Sequence, residues 1–162
     1  MSIVFSSDEL INIAIGIERR GISFYDVMAK STENAMAREV FQRLVEMERQ
    51  HIETFQAMLA GGEELPPTDT ATEEYADYLQ TLVDSAVFSD DALTSEMATQ
   101  ADSDIKALEL AISAEKDSIL FYYEMRDLMP RTTLPAVNQI IAEEKAHLRI
   151  LSGIKKKLTA GD

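Results

Sequence analysis

Glu48-Arg-Gln-His51 and Glu144-Lys-Ala-His147 hold the only two histidines of the chain, each three residues after a glutamate. On a helix, residues three apart share a face, so each pair presents a carboxylate and an imidazole side by side. The surrounding segments match each other. Residues 44–59, LVEMERQHIETFQAML, align with 140–155, IIAEEKAHLRILSGIK. Upstream, 11–28, INIAIGIERRGISFYDVM, align with 108–125, LELAISAEKDSILFYYEM. This pairs Glu18 with Glu115, Phe24 with Phe121, Tyr25 with Tyr122 and Met28 with Met125. The chain therefore repeats one helical hairpin, with a turn one residue shorter in the second copy. Two such hairpins predict an all-α antiparallel four-helix bundle with pseudo-twofold symmetry.

Local signals bound the four helices. Ser6-Ser-Asp-Glu9 reads as a capping box, so the first helix is expected from about Ser6 to Lys30. The second is expected over 34–60, stopping at Gly61-Gly62, and the third over 103–129, halted by Pro130. The fourth is expected from Thr133 to Leu158 with Pro135 in its first turn. Between the second and third helices, Glu64-Leu-Pro-Pro-Thr68 reads as a loop. Thr70-Ala-Thr-Glu73 is a second capping box, opening a short extra helix through Phe88. Residues 89–102 read as polar and irregular, with room for one helical turn. The length of this crossover leaves two options open: it folds back on its own bundle, or it exchanges helices with a second chain.

With 162 residues, the expectation is a single domain spanning 1–162 with a sizeable core. The net charge of −14 argues against nucleic acid or an anionic membrane as partner. An acidic surface suits a cationic ligand such as ferrous iron, or simply keeps the chain in solution. With no cysteine, the chain's own residues cannot build a disulfide framework, an iron–thiolate site or an iron–sulfur cluster. Neither a secretory leader nor a membrane span is legible, and the expected location is cytoplasmic.

The apolar stripes carry the chemistry. Glu48 and His51 interrupt the stripe Phe41, Leu44, Val45, Ile52, Phe55, Met58, Leu59. Glu144 and His147 interrupt Val137, Ile140, Ile141, Leu148, Leu151, Ile154. Glu18 falls between Ile11, Ala14, Ile15 and Ile22, Tyr25; Glu115 falls between Leu108, Ala111, Ile112 and Ile119, Tyr122. Each helix thus aims a carboxylate at the core at similar depth. Burying a carboxylate costs several kcal/mol even after relaxation. The neighbouring bases Arg19, Arg20, Arg43, Arg49, Lys116, Lys145 and Arg149 are expected to point away. Two divalent cations would supply the missing charge. Carboxylate and imidazole suit iron or manganese, with zinc possible. In this reading Glu18 and Glu115 are terminal ligands, Glu48 and Glu144 bridge, and His51 and His147 each cap one metal. Positions remain open for dioxygen or peroxide. Tyr25 and Tyr122, two turns beyond Glu18 and Glu115, are either hydrogen-bond donors to the carboxylates or core aromatics.

Residues 11–60 and 104–158 resemble the rubrerythrin branch of the ferritin-like superfamily, through Glu18 with Tyr25, Glu48-x-x-His51, Glu115 with Tyr122, and Glu144-x-x-His147. The resemblance implies a ferritin-like bundle with a long crossover and a non-haem di-iron centre on Glu18, Glu48, His51, Glu115, Glu144 and His147. It implies reduction of hydrogen peroxide to water, and a homodimer. Such proteins usually carry a rubredoxin domain with cysteines, so electrons are expected here from an external donor protein such as a rubredoxin. They also usually carry a further glutamate three residues after the third-helix ligand, tied to iron movement between redox states; this chain has Ser118 there. The remaining four glutamates and two histidines are similar to the ferroxidase centre of bacterioferritin, although residues 61–102 depart from that layout. Three functions follow: peroxide reduction, oxidation of ferrous iron by dioxygen, and a non-catalytic metal that only holds the bundle together. A manganese catalase is a minor fourth.

Overall fold

The hydroxyl of Ser6 accepts a hydrogen bond from the backbone N–H of Glu9 at 3.1 Å and opens α1 (Ser7–Ser31). Asn34 does the same for α2 (Ala35–Ala60), accepting from Ala37 N–H at 2.9 Å. The computed structural model describes residues 5–61, 73–101 and 103–161. Its remaining helices are α3 (Glu73–Asp84), α4 (Asp91–Gln100), α5 (Asp104–Leu128) and α6 (Leu134–Thr159); among the described residues there is no strand. Ser103 caps α5 by accepting from Lys106 N–H at 3.1 Å. After Met129, Pro130 cannot continue the helix, and a 3-10 turn, Arg131–Thr133, leads into α6. Gly61, the C-cap of α2, sits in the ordinary right-handed region, φ −68°. The expected Glu64–Thr68 loop, Gly62 and the Thr70 end of the second capping box lie outside the described residues.

α1 pairs with α2 and α5 with α6 as antiparallel hairpins. The core divides into two apolar clusters. One holds Phe24, Tyr25, Phe41, Leu44, Leu108, Leu151 and Ile154. The other holds Leu10, Ile11, Phe55, Phe121, Tyr122, Met125, Val137 and Ile141. The second cluster joins the start of α1, the end of α2, the end of α5 and the start of α6, so α1 opposes α5 and α2 opposes α6. Consequently α2 ends where α5 does not begin, and the chain must travel the length of the bundle between them. This is the ferritin-like connection expected from the sequence.

The crossover folds back on its own bundle, with α3 against α5 and α4 against α1. Its helix α3 stops at Asp84, short of Phe88. The N–H of Val87 is taken by the Asp117 carboxylate of α5 at 2.9 Å, which draws the chain off the helical path. Phe88 then packs on Phe24 with ring centroids 4.7 Å apart. α4 was not legible as a full helix: among its described side chains Thr94 and Ala98 are buried and Met97 partly so, and a threonine and an alanine add little to an apolar period. Removing the Phe88 ring should open a cavity beneath the crossover. Phe88→Ala is expected to lower the unfolding free energy by about 3 kcal/mol in chemical denaturation, with helix content kept.

Candidate metal centre

Between the two apolar clusters lies one polar layer. Glu18 comes from α1, Glu48 and His51 from α2, Glu115 from α5, and Glu144 and His147 from α6; none is more than 3% exposed. The structure brings all six together as two groups of four, Glu18, Glu48, His51, Glu144 and Glu48, Glu115, Glu144, His147. Glu48 and Glu144 belong to both. His51 Nδ1 lies 2.9 Å from Glu48 Oε2 and 2.9 Å from Glu144 Oε1. His147 Nδ1 lies 3.3 Å from Glu48 Oε1 and 3.5 Å from Glu144 Oε2. Each shared carboxylate therefore turns one oxygen to each imidazole. Glu18 approaches only His51 among the imidazoles, at 3.5 Å, and Glu115 only His147, at 3.8 Å. The rings stack 5.6 Å apart.

These donors face one another without bonding one another. His51 Nδ1, His147 Nδ1, Glu48 Oε2, Glu115 Oε2 and both oxygens of Glu144 are buried without a hydrogen-bond partner. Unsatisfied buried polar atoms are costly. A set that converges within 4.8 Å fits a cation at the common focus. The protonation balance agrees. Burial, then the charges of Glu18 and Glu115, push Glu48 up to about 8. Burial and the Glu144 charge push Glu115 well above the carboxylate range, and burial and Glu48 raise Glu144. Burial also works on Glu18, but its close approaches to Glu48 and His51 outweigh it and hold Glu18 low. Burial opposes charge on both imidazoles, yet the surrounding carboxylates prevail, raising His51 strongly and His147 to about 11. Protons thus stand in for missing positive charge, and a divalent cation would displace them.

The tyrosines donate across the bundle. Tyr25 donates to Glu115 Oε1 at 2.5 Å, and Tyr122 donates to Glu18 Oε1 at 2.5 Å. Of the two readings the sequence left open, donation to the carboxylates is the one observed, each tyrosine reaching the glutamate of the opposite hairpin. Burial and the nearby carboxylates raise both phenols well above their ordinary pKa, so each remains a donor. Arg20 departs from expectation. Rather than pointing away, it lines a cavity of about 40 Å³ together with Glu18, Glu48, Glu115, Ser118 and Phe88, and its Nε sits 3.4 Å from Asp91 of α4. Ser118 is buried and donates to its own helix at Ala114 O, 3.0 Å, not to the carboxylates.

One participant escaped the sequence reading. Glu143 Oε2 accepts from His51 Nε2 at 2.7 Å, and its other oxygen accepts from Gln139 Nε2 at 2.9 Å. Partial burial would raise Glu143, but Gln139 and His51 hold it below the ordinary carboxylate range. The available signal was its place directly before Glu144, one step around α6 toward α2.

The model of the family described as Rubrerythrin matches residues 9–155. The chain belongs to the rubrerythrin family. Its fold is also that of a Thermotoga maritima crystal structure described as a ferritin-like diiron-carboxylate protein. The two share 29% identity at a TM-score of 0.72, over 95% of this chain and 97% of the other. Among curated proteins none matches significantly. Rubrerythrin membership and the carboxylate–histidine cluster together mark a metal centre. No described helix is long and apolar enough to cross a membrane.

Two outcomes are expected. Glu18→Ala and His147→Ala should each reduce bound metal per chain, measured by elemental analysis after loading and desalting; full two-metal occupancy in both would refute these ligands. For metal-free protein, Glu48 takes up its proton at about 8 when folded against 4.5 as the ordinary value, so the folded state holds more protons across that window. Stability must then fall as pH rises through it. His147, at about 11 against 6.5, adds a contribution that is full below 6.5 and lost as pH rises. The melting temperature of metal-free protein should decline from about pH 5 to pH 8, and bound metal should flatten the profile.

Proposed function

We propose that this rubrerythrin-family chain is a di-iron oxidoreductase that reduces hydrogen peroxide with electrons from an external donor protein such as a rubredoxin. The observation that carries the proposal is the pair of four-residue groups sharing Glu48 and Glu144. Glu18 and Glu115 would be terminal ligands, Glu48 and Glu144 bridging ligands, and His51 and His147 would bind through Nδ1, the nitrogen each turns to the carboxylates. The diiron-carboxylate description of the Thermotoga neighbour favours iron.

Two ferrous ions held there would supply the two electrons that, with two protons, convert one hydrogen peroxide to two waters. The chain's own residues prepare that step. Tyr25 and Tyr122 fix the terminal carboxylates by short hydrogen bonds. The apolar clusters on either side keep bulk water from the layer. The cavity beside Glu18, Glu48 and Glu115 gives a small oxidant an approach.

A second reading, ferroxidase activity with dioxygen, is favoured by Ser118. Its hydroxyl is spent on Ala114 O, so no additional carboxylate enters the set from that position. Stopped-flow oxidation of anaerobically iron-loaded protein separates the two. Much faster oxidation by hydrogen peroxide than by dioxygen is the expected result. Equal or faster oxidation by dioxygen would favour the ferroxidase, and slow reaction with both would leave the metal a purely binding role.

A further inference from the structure

The repeat predicts two equal metal positions, and most of the centre obeys it. Tyr25 and Tyr122 reach Glu115 and Glu18 at the same 2.5 Å. Glu48 and Glu144 are shared symmetrically. The outer edges of the imidazoles break the symmetry. His51 Nε2 donates to Glu143, which Gln139 in turn holds. His147 Nε2 is buried and has no hydrogen-bond partner among the described residues. The repeat explains why: the alignment that superposes Glu48 on Glu144 puts Met47 at the place of Glu143. A thioether is at best a weak acceptor.

The consequences for the two rings differ. With its Nε2–H committed to a carboxylate, His51 would give up Nδ1, the nitrogen beside Glu48 and Glu144, to a bound metal, and that nitrogen is made the stronger ligand. Nothing fixes the tautomer of His147 in this way. Its Nδ1 also stands farther from the shared carboxylates, at 3.3 and 3.5 Å against 2.9 Å for His51. We propose that the two metal positions are inequivalent, that the His51 position fills first, and that Glu143 is the positioning residue responsible. The proposal rests on the reading that these six residues hold two ions, and is independent of which oxidant the protein uses.

Anaerobic titration of metal-free protein with cobalt(II) tests it, following the visible absorption of the bound ion against a competing chelator. Two steps separated by about 10–100-fold in affinity are expected. His51→Ala should abolish the tight step and His147→Ala the weak one. Glu143→Leu should weaken the tight step by about 10–100-fold and leave the weak one in place, merging the two. Met47→Glu, which supplies the missing partner, should tighten the second step and does not depend on how the Glu143 variant folds. Two indistinguishable steps in the unaltered protein would overturn the proposal while leaving the metal centre intact. So would equal weakening of both steps in Glu143→Leu. Fewer than two ions per chain would overturn the metal-centre reading itself, and this proposal with it.

Discussion

Four carboxylates and two imidazoles share one buried layer between two apolar clusters, and the rest of the molecule is arranged around their cost. Each carboxylate forfeits several kcal/mol of solvation, and like charges at these distances repel. The chain does not neutralise them with its own cations. Arg20 lines the cavity beside the layer, and its Nε sits 3.4 Å from Asp91 on the crossover. Metal-free, the layer leans toward its protonated forms: burial and neighbouring carboxylates raise Glu48, Glu115 and Glu144, and the carboxylates raise both imidazoles against burial. That arrangement stores a demand for positive charge which a divalent pair satisfies. The price of the layer also explains the long helices, 25 or 26 residues each: a full apolar cluster on both sides must offset what the layer costs.

The crossover follows from the same geometry. A pseudo-twofold axis through the layer requires α5 to begin at the end of the bundle opposite to where α2 stops. The connecting chain must therefore run along the α1/α5 side, and it does so as α3 and α4, anchored by Asp117 on Val87 N–H and by Phe88 on Phe24. The cavity that reaches Glu18, Glu48 and Glu115 lies beneath this connection. The imidazoles enter from α2 and α6. The layer accordingly has one face wired by histidine and another that a small molecule can approach.

The bundle was legible because its two periodicities reinforce each other: apolar residues at helical spacing, and the same spacing repeated in a second hairpin. The six layer residues were legible because each is a polar interruption of an apolar stripe. What escaped lay where one helix reads poorly on its own. Tyr25 and Tyr122 were legible as possible donors to the carboxylates, but which glutamate each reaches was not, because crossing to the opposite helix is a property of the packed bundle. Among the described side chains of α4, the buried Thr94 and Ala98 are too small or too polar to announce a buried face. Glu143 sits at the rim of α6, its side chain about one-third exposed, and resembles any solvated glutamate until α2 brings His51 to it.

Duplication alone would leave two interchangeable halves, which suits a passive metal staple as well as it suits a catalyst. A redox centre that takes up a small oxidant on one side gains from halves that differ. Here the symmetric elements are those that satisfy electrostatics: the shared glutamates, the terminal glutamates and the crossed tyrosines. The asymmetric ones lie at the edges of the layer: Glu143 against Met47 at the imidazoles, and a cavity that reaches one layer residue of α2, Glu48, but none of α6. Charge balance across the layer is met by the symmetric set alone, so the asymmetry sits where the two halves can differ in metal affinity and in access without disturbing the balance that holds the bundle together.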